Sequence, residues 1–350
     1  GYESQNITVG NQTIINVALT DDAAVLDEVV VVGYGVTKKR DLTGAVGQID
    51  AKQLEDVPAS RVDQMLQGRA AGVQVTGVNG APGARASIRV RGGNSVNADN
   101  EPLYVIDGFI VGTDFNLNNI NTNDIESIEV LKDATAISIY GTRGANGVIL
   151  LTTKSGKNAI KGQPRVAVNF YAGVQNLARK IDFLDGNERV AYGKELAEFA
   201  GEADPFTDPA ELANTDWQDL ITQTASIYNG DVSLSGKTDA MNYYVSVNYF
   251  NQQGIIKSTG LERYNLRANF DFNISKKVKA GIRFNGAYTR TDNNKVDLWG
   301  MRETLTAFPV YKPDGSYWNQ NTVTGGVLRN PVADIDLTTD FTIGTNLLTT

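Results

Sequence analysis

Residues 120–157 read INTNDIESIEVLKDATAISIYGTRGANGVILLTTKSGK, and they divide the chain into two halves of different pattern. Ile128 and Val130 stand among the charged Glu129 and Lys132, and Val148–Thr153 is apolar and β-branched, so each end is predicted to be a strand. Between them the residues predict one helical turn over Ala134–Ile139, opened by Asp133 and closed at Tyr140-Gly141, where glycine tolerates a left-handed backbone. Gly144 and Gly147 then permit a tight entry into the second strand. Strand, turn, glycine loop and strand fit many α+β domains.

Composition removes whole classes of function. The 350 residues include no cysteine and no histidine, which excludes a disulfide framework, a thiol nucleophile, a Ser-His-Asp triad and an ordinary zinc, haem or copper site. A net charge of −8 argues against nucleic acid, which needs a basic face to neutralise phosphates. The apolar runs Val29–Val32 and Val148–Leu151 fall far short of the roughly 20 residues of a spanning helix, so a membrane protein here must be a β-barrel. Gly1-Tyr2-Glu3 carries no signal-peptide pattern and Thr350 falls inside a strand pattern, so the sequence reads as a piece of a longer protein.

On the N-terminal side, Gly44–Leu54 predicts a short strand and turn. A helix is predicted from Pro58 and Ser60, with Val62, Met65, Leu66 and Ala70 as its buried stripe and Gly72 as its stop. Val73–Val75, Ile88–Val90 and Leu103–Ile106 read as strands, and the Asn-rich Phe109–Asp124 as a loop. The valine run in LDEVVVVGYGVTKKRD, residues 26–41, suits either a buried strand or an extended segment that adds to a partner's sheet edge.

From Pro164 onward the period is two. Val166, Val168 and Phe170 share one face; Tyr243, Val245, Val247 and Tyr249 another; Leu266, Ala268 and Phe270 a third, with Arg267 and Asn269 opposite. A soluble sandwich gives the same alternation, but runs of this length with terminal aromatics favour membrane strands of about 9–11 residues. SGKTDAM and ISKK are short connections, whereas Gln175–Ile227 and Thr291–Asp340 are long, as extracellular loops are. Five or six strands fit the chain, with Phe270 toward lipid and Asn269 toward a lumen tolerant of substitution.

The wording of these segments is more specific than their pattern. IEVLKDATAISIYGTRGANGVILLTTK closely resembles the end of the plug domain of TonB-dependent outer-membrane transporters, in the SusC-like (RagA/SusC-type) branch that imports nutrients. IRVRGGNS and PLYVIDG resemble plug motifs, LDEVVVVGYG the family's TonB box, and GYESQNITVGNQTIINVALTDD the last strands of a carboxypeptidase-regulatory-like β-sandwich. The resemblance implies a sandwich remnant over 1–25, TonB box and linker over 26–40, an α+β plug over 41–160, and the first strands of an antiparallel transmembrane β-barrel over 161–350. A plug of about 120 residues is roughly 35 Å across, which only the large, 22-stranded plugged barrels accommodate.

Site residues follow from the same resemblance. Leu26, Asp27, Glu28, Val29, Val30, Val31, Val32 and Gly33 form the TonB box, and Arg91 and Lys132 are candidates for a latch onto barrel-wall carboxylates. Asn94, Asn97, Asp99 and Asn100 of the plug, with Trp299 and Trp318 of the second long loop, are candidates for contact with ligand. No metal, cofactor or catalytic residue is implied. The implied partners are TonB with ExbB and ExbD, a SusD-like lipoprotein, outer-membrane lipid, and an oligosaccharide or peptide ligand, with the N-terminus periplasmic. The alternatives are a TonB-dependent receptor for an iron chelate or vitamin and, in another class, a secreted β-rich glycosidase.

Overall fold

The fold was read from a computed structural model. It describes residues 29–32, 35–38, 46–50, 61–77, 79–93, 100–113, 115–133, 137–204, 206, 212–275, 277–293, 306–318, 320–321, 327–328, 330–337 and 339–349. The sandwich segment 1–25 lies outside them, as do Leu26, Asp27, Glu28, Gly33, Asn94, Asn97, Asp99 and Trp299.

The valine run forms β1 (Val29–Val32), paired antiparallel with β2 (Gly35–Lys38) as a separate two-stranded sheet. Then follow β3 (Val46–Asp50), α1 (Val62–Leu66), β4 (Val73–Gly77), β5 (Ala86–Val90), β6 (Leu103–Ile106), β7 (Phe109–Gly112), β8 (Ile125–Leu131) and β9 (Val148–Thr153). β4 and β5 make a hairpin, and the others form one sheet in the order β3-β8-β9-β6-β7, in which only β6 and β9 run parallel. Val62, Met65 and Leu66 of α1 are buried with Ile49, Ile128 and Ile149 of the sheet, as their helical spacing requires. The β6–β7 hairpin turns on Asp107-Gly108, both at positive φ (50° and 89°), the conformation that a two-residue Asp-Gly loop supplies.

One reading of the sequence needs correction. The expected helical turn has residues 134–136 outside the described residues, but Ile137 N–H donates to Asp133 O at 3.0 Å, and 3₁₀ turns continue over Ser138–Gly144 with a kink at Gly141 and Tyr140 buried against Leu103 and Val148. Phe109–Asp124 is not a plain loop, for it holds β7 and two 3₁₀ turns, Leu117–Asn119 and Thr122–Asp124. Asn116 and Asn121 cap these turns by accepting from the amides of Asn118 and Asn123, at 3.0 and 3.2 Å.

The second half is an antiparallel meander. Its strands are β10 (Arg165–Gln175), β11 (Ala225–Lys237), β12 (Met241–Gln253), β13 (Thr259–Asn273), β14 (Lys279–Asn293) and, after the small pair β15 (Gln320–Asn321) and β16 (Val327–Leu328), β17 (Phe341–Thr349). The register lines up Val168, Val232, Val247 and Leu266 on one face, all exposed at 68, 51, 57 and 44%. One residue along, Asn169, Asp231, Asn248 and Asn265 align on the other face, and the last three are buried at 2, 2 and 4%. Polar groups face in and apolar groups face out, the inverse of a soluble sandwich and the arrangement of a barrel wall. Toward one end of the outward face, the rings of Tyr249, Tyr264 and Tyr288 lie tilted against one another with centroids 5.0 and 6.3 Å apart, as in an aromatic girdle.

Both long connections leave the same end of the wall. The first carries α2 (Gly186–Ala200), opened by an Asp185/Glu188 capping box, and α3 (Trp217–Ile221); the second carries α4 (Pro331–Leu337). They pack together, since Trp217 and Ile221 meet Val332 and Ile335, and Phe206 meets Phe308. The hydrogen bonds that Lys180 donates to Asp219 and then Asp216 raise its pKa in this region. Among the described residues no helix is long and apolar enough to cross a membrane.

A wall whose exposed face meets hydrocarbon makes Val247→Arg costly, by about 2–4 kcal/mol at mid-strand. The expected outcome is a reduced folded fraction of the full-length protein in urea titrations, read from heat-modifiable gel mobility. A cysteine at 247 should react with lipid-soluble and resist water-soluble maleimide.

Candidate functional site: the seam between plug and wall

The inward face of the wall meets the plug across a seam of polar side chains. Asp124, at the head of β8, is 1% exposed. Its Oδ1 accepts from Tyr244 Oη at 2.9 Å and Ser246 Oγ at 2.6 Å, and its Oδ2 lies 3.5 Å from Arg267 Nε. Arg267 Nη1 also reaches Asp107 Oδ2 at 3.5 Å and donates to Thr153 Oγ1 at 3.0 Å, while Nη2 donates to Asn285 Oδ1 at 3.0 Å. One wall arginine therefore touches the β6–β7 turn, the start of β8 and the end of β9.

Neighbouring groups extend the seam. Arg263 lies over the Phe250 ring at 5.0 Å and donates to the Asn118 carbonyl at 2.5 Å. Asn265 donates to Asn119 O at 2.7 Å; Asn269 donates to Thr153 Oγ1 at 2.9 Å and Lys154 O at 2.8 Å. In the opposite sense, plug Asn121 donates to wall Asp231 at 2.8 Å, and Asn169 holds the other carboxylate oxygen at 3.2 Å. At the far end of β9, a Cβ on Gly156 (φ 76°) would lie 2.1 Å from the Tyr243 carbonyl, so the segment leaving the plug lies directly on the wall backbone.

Buried carboxylates and guanidinium groups lose much hydration, and pairing offsets that loss only where the remaining donors and acceptors are satisfied. The seam meets this condition incompletely: Asp124 has three partners, whereas Asn248 Oδ1, Asn265 Oδ1 and Asn269 Oδ1 make no hydrogen bond to protein. Such a contact holds position through many modest bonds, each of which water can replace.

Several anticipated site residues are placed elsewhere. The guanidinium of Arg91 pairs with Asp133, and Lys132 Nζ donates to the Ala71 carbonyl, both within the plug. Among the described residues neither reaches the wall, and the ion pairs that do cross have the reverse polarity, with wall Arg267 meeting plug Asp107 and Asp124. Asn269 faces the lumen but is fully buried against Thr153 and Lys154, so the tolerance expected of it fails for lack of room. Asn100 packs over Gly93 in the plug. Trp318 stacks on Phe308 at 3.9 Å, inside the loop core. Asp107, Asp124, Asn121 and Arg263 were missed, although Arg263 and Arg267 both fall on the polar side of β13, which is where a lumen contact had to come from.

Residues 38–148 match the TonB-dependent receptor plug domain. TonB-dependent receptor P26 of Formosa agariphila is 50% identical over 349 residues, which is 99% of this chain and 35% of the relative. TonB-dependent receptor SusC of Bacteroides thetaiotaomicron is 37% identical, over 97% of this chain and 36% of its own length. The chain carries the plug domain of the TonB-dependent receptors and is similar to SusC-like members along nearly its whole length.

It spans about a third of the length of these relatives. The structure of the RagAB peptide importer in its open-open state matches at a TM-score of 0.70 and 27% identity, covering 87% of this chain and 38% of that one. In this receptor the wall strands β10–β14 and β17 are thus one arc of a plugged barrel, and the seam is where that arc holds its plug.

Asp124→Ala should strip Arg267 of one carboxylate and leave Tyr244 and Ser246 without their acceptor, costing about 3–5 kcal/mol of docking. Expected readouts in the full-length receptor are protease cleavage of the plug and raised conductance in planar bilayers. Arg267→Leu should recover some of the loss, with a coupling energy of about 1–3 kcal/mol in the double-mutant cycle. Gly156→Ala should cost more than about 1 kcal/mol, because it adds both a positive-φ strain and a clash with wall backbone. That loss is read as a lower urea midpoint for plug protection.

Proposed function

We propose that the full-length protein imports a nutrient across the outer membrane, driven by TonB with ExbB and ExbD and assisted by a SusD-like surface lipoprotein. The nutrient is an oligosaccharide or an oligopeptide. The observation that carries this reading is the seam. A barrel wall that is apolar outside and polar inside, and that is filled by a plug held through water-replaceable hydrogen bonds, is suited to be opened and closed repeatedly. An apolar plug contact would cost far more to separate. Transport of this kind breaks no covalent bond.

In this reading Leu26–Gly33 is the segment that TonB engages from the periplasm, by strand addition through its main chain. Residues 1–25 are the remnant of a sandwich, 26–40 box and linker, 41–160 plug, and 161–350 wall. Arg91 and Lys132 lie on the plug away from the described arc, a position open to wall strands that complete the barrel. Asn94, Asn97, Asp99, Asn100 and the loop tryptophans Trp299 and Trp318 are proposed to contribute to ligand capture. The match to the RagAB peptide importer at 27% identity supports a peptide, and the SusC relationship supports a nutrient of oligomer size.

Deleting Asp27–Val32 should abolish uptake of the cognate nutrient while leaving outer-membrane assembly and surface binding intact. Growth of the deletion strain on that nutrient at the parental rate would overturn the coupling role of this segment.

A further inference from the structure

The valine run is paired with the chain that follows it. Val29 is directly opposite Lys38, Val30 opposite Thr37, Val31 opposite Val36 and Val32 opposite Gly35, and only Gly33 and Tyr34 separate the two strands. The hairpin belongs to no other sheet: β3, the next strand, joins the five-stranded plug sheet instead. The two ends of the hairpin therefore sit side by side. One leads back to Glu28 and the N-terminal segment, and the other leads on through Lys39 to the plug.

Two physical consequences follow. A lone two-stranded hairpin is marginally stable in water, so little free energy holds it closed. Its geometry also decides how it yields. Tension applied between residue 29 and residue 38 acts across the open end, so backbone pairs break in succession rather than together. Closed, the two ends are about 5 Å apart; opened and extended, ten residues span about 30 Å. The hairpin stores roughly 25 Å of chain between the point of engagement and the plug.

We propose that β1–β2 is a reserve of tether, closed at rest and unzipped by pull, that lets the engaged strand travel before load reaches the plug. This rests on the reading of Leu26–Gly33 as the segment that TonB engages. β1 keeps one edge unpaired among the described strands, so a partner strand can add there while the hairpin is still closed. Engagement precedes unzipping, and unzipping precedes any force on the seam. Sequence supports the assignment at a second point: Gly33 lies in the two-residue connection and Gly35 directly follows it, which suits a tight return, and no proline interrupts either strand.

The chain has no cysteine, so a lock can be placed cleanly. Counting from the closing pair Val32/Gly35, Val29/Lys38 is a non-hydrogen-bonded pair, whose short Cα separation of about 4.5 Å suits a disulfide. The experiment uses the full-length receptor in cells carrying Val29→Cys with Lys38→Cys. Relative to the same variant kept reduced, oxidation should abolish nutrient uptake while changing neither surface binding nor capture of the isolated TonB C-terminal domain, and reductant should restore uptake. Inserting about ten Gly/Ser residues between Arg40 and Asp41 should restore uptake to the oxidised protein, because it replaces the stored length.

Failure of the disulfide to form would show that the strands are not paired in this register, and normal uptake by the locked protein would show that the length is not used. Lost uptake that the insertion does not rescue would mean that pairing blocks the partner strand itself, which also overturns the tether. Failure of the underlying reading is separate: it would appear as intact uptake in the Asp27–Val32 deletion, a strain with no lock at all.

Discussion

Arg267 is a charged side chain closed off from water, at 2% exposure, in a protein whose other solvent is hydrocarbon. It can exist there only because the plug brings carboxylates to it, Asp124 on one side and Asp107 on the other. Asp107 reaches it from a turn that requires a positive φ, and the same carboxylate binds the Thr153 amide and hydroxyl at 2.8 and 2.7 Å. Turn geometry, sheet order and wall register thus converge on one guanidinium. Loss of any of them would leave a buried charge with too few partners.

The rest of the architecture accommodates that contact. The six wall strands present their polar side inward because the alternating side chains of each strand must face either lipid or plug. Arg263 tilts over Phe250 and takes a backbone carbonyl of the Asn-rich segment, so that this segment, polar in composition, serves as the docking face of the plug. Loop helices and aromatic clusters then close over the end of the wall where the long connections leave it.

Much of the candidate site was hidden for a definable reason. Asn121 and Asp231 are 110 residues apart, and Asp107 and Arg267 are 160 apart. Helix and strand periodicity read neighbours along the chain, so they cannot pair residues across such distances. A plug arginine or lysine is the obvious partner for a wall carboxylate when only the plug motifs are read. Along the described arc the seam draws its cations from the wall, while Arg91 and Lys132 bond to the plug's own Asp133 and Ala71.

By itself the sequence determined the facing of wall strands β10–β14, because a side-chain period of two assigns alternate residues to opposite faces whatever the strand packs against. It also determined the plug's family, since the run from Ile128 to Lys154 is distinctive in wording as well as in pattern. Only the tertiary structure decided which inward residues meet which plug residues, that the Asn-rich stretch is a docking face, and that the valine run folds back on β2. Each of these depends on where separate segments arrive in space, and that is set by sheet order, register and the room left between plug and wall rather than by any local preference of the chain.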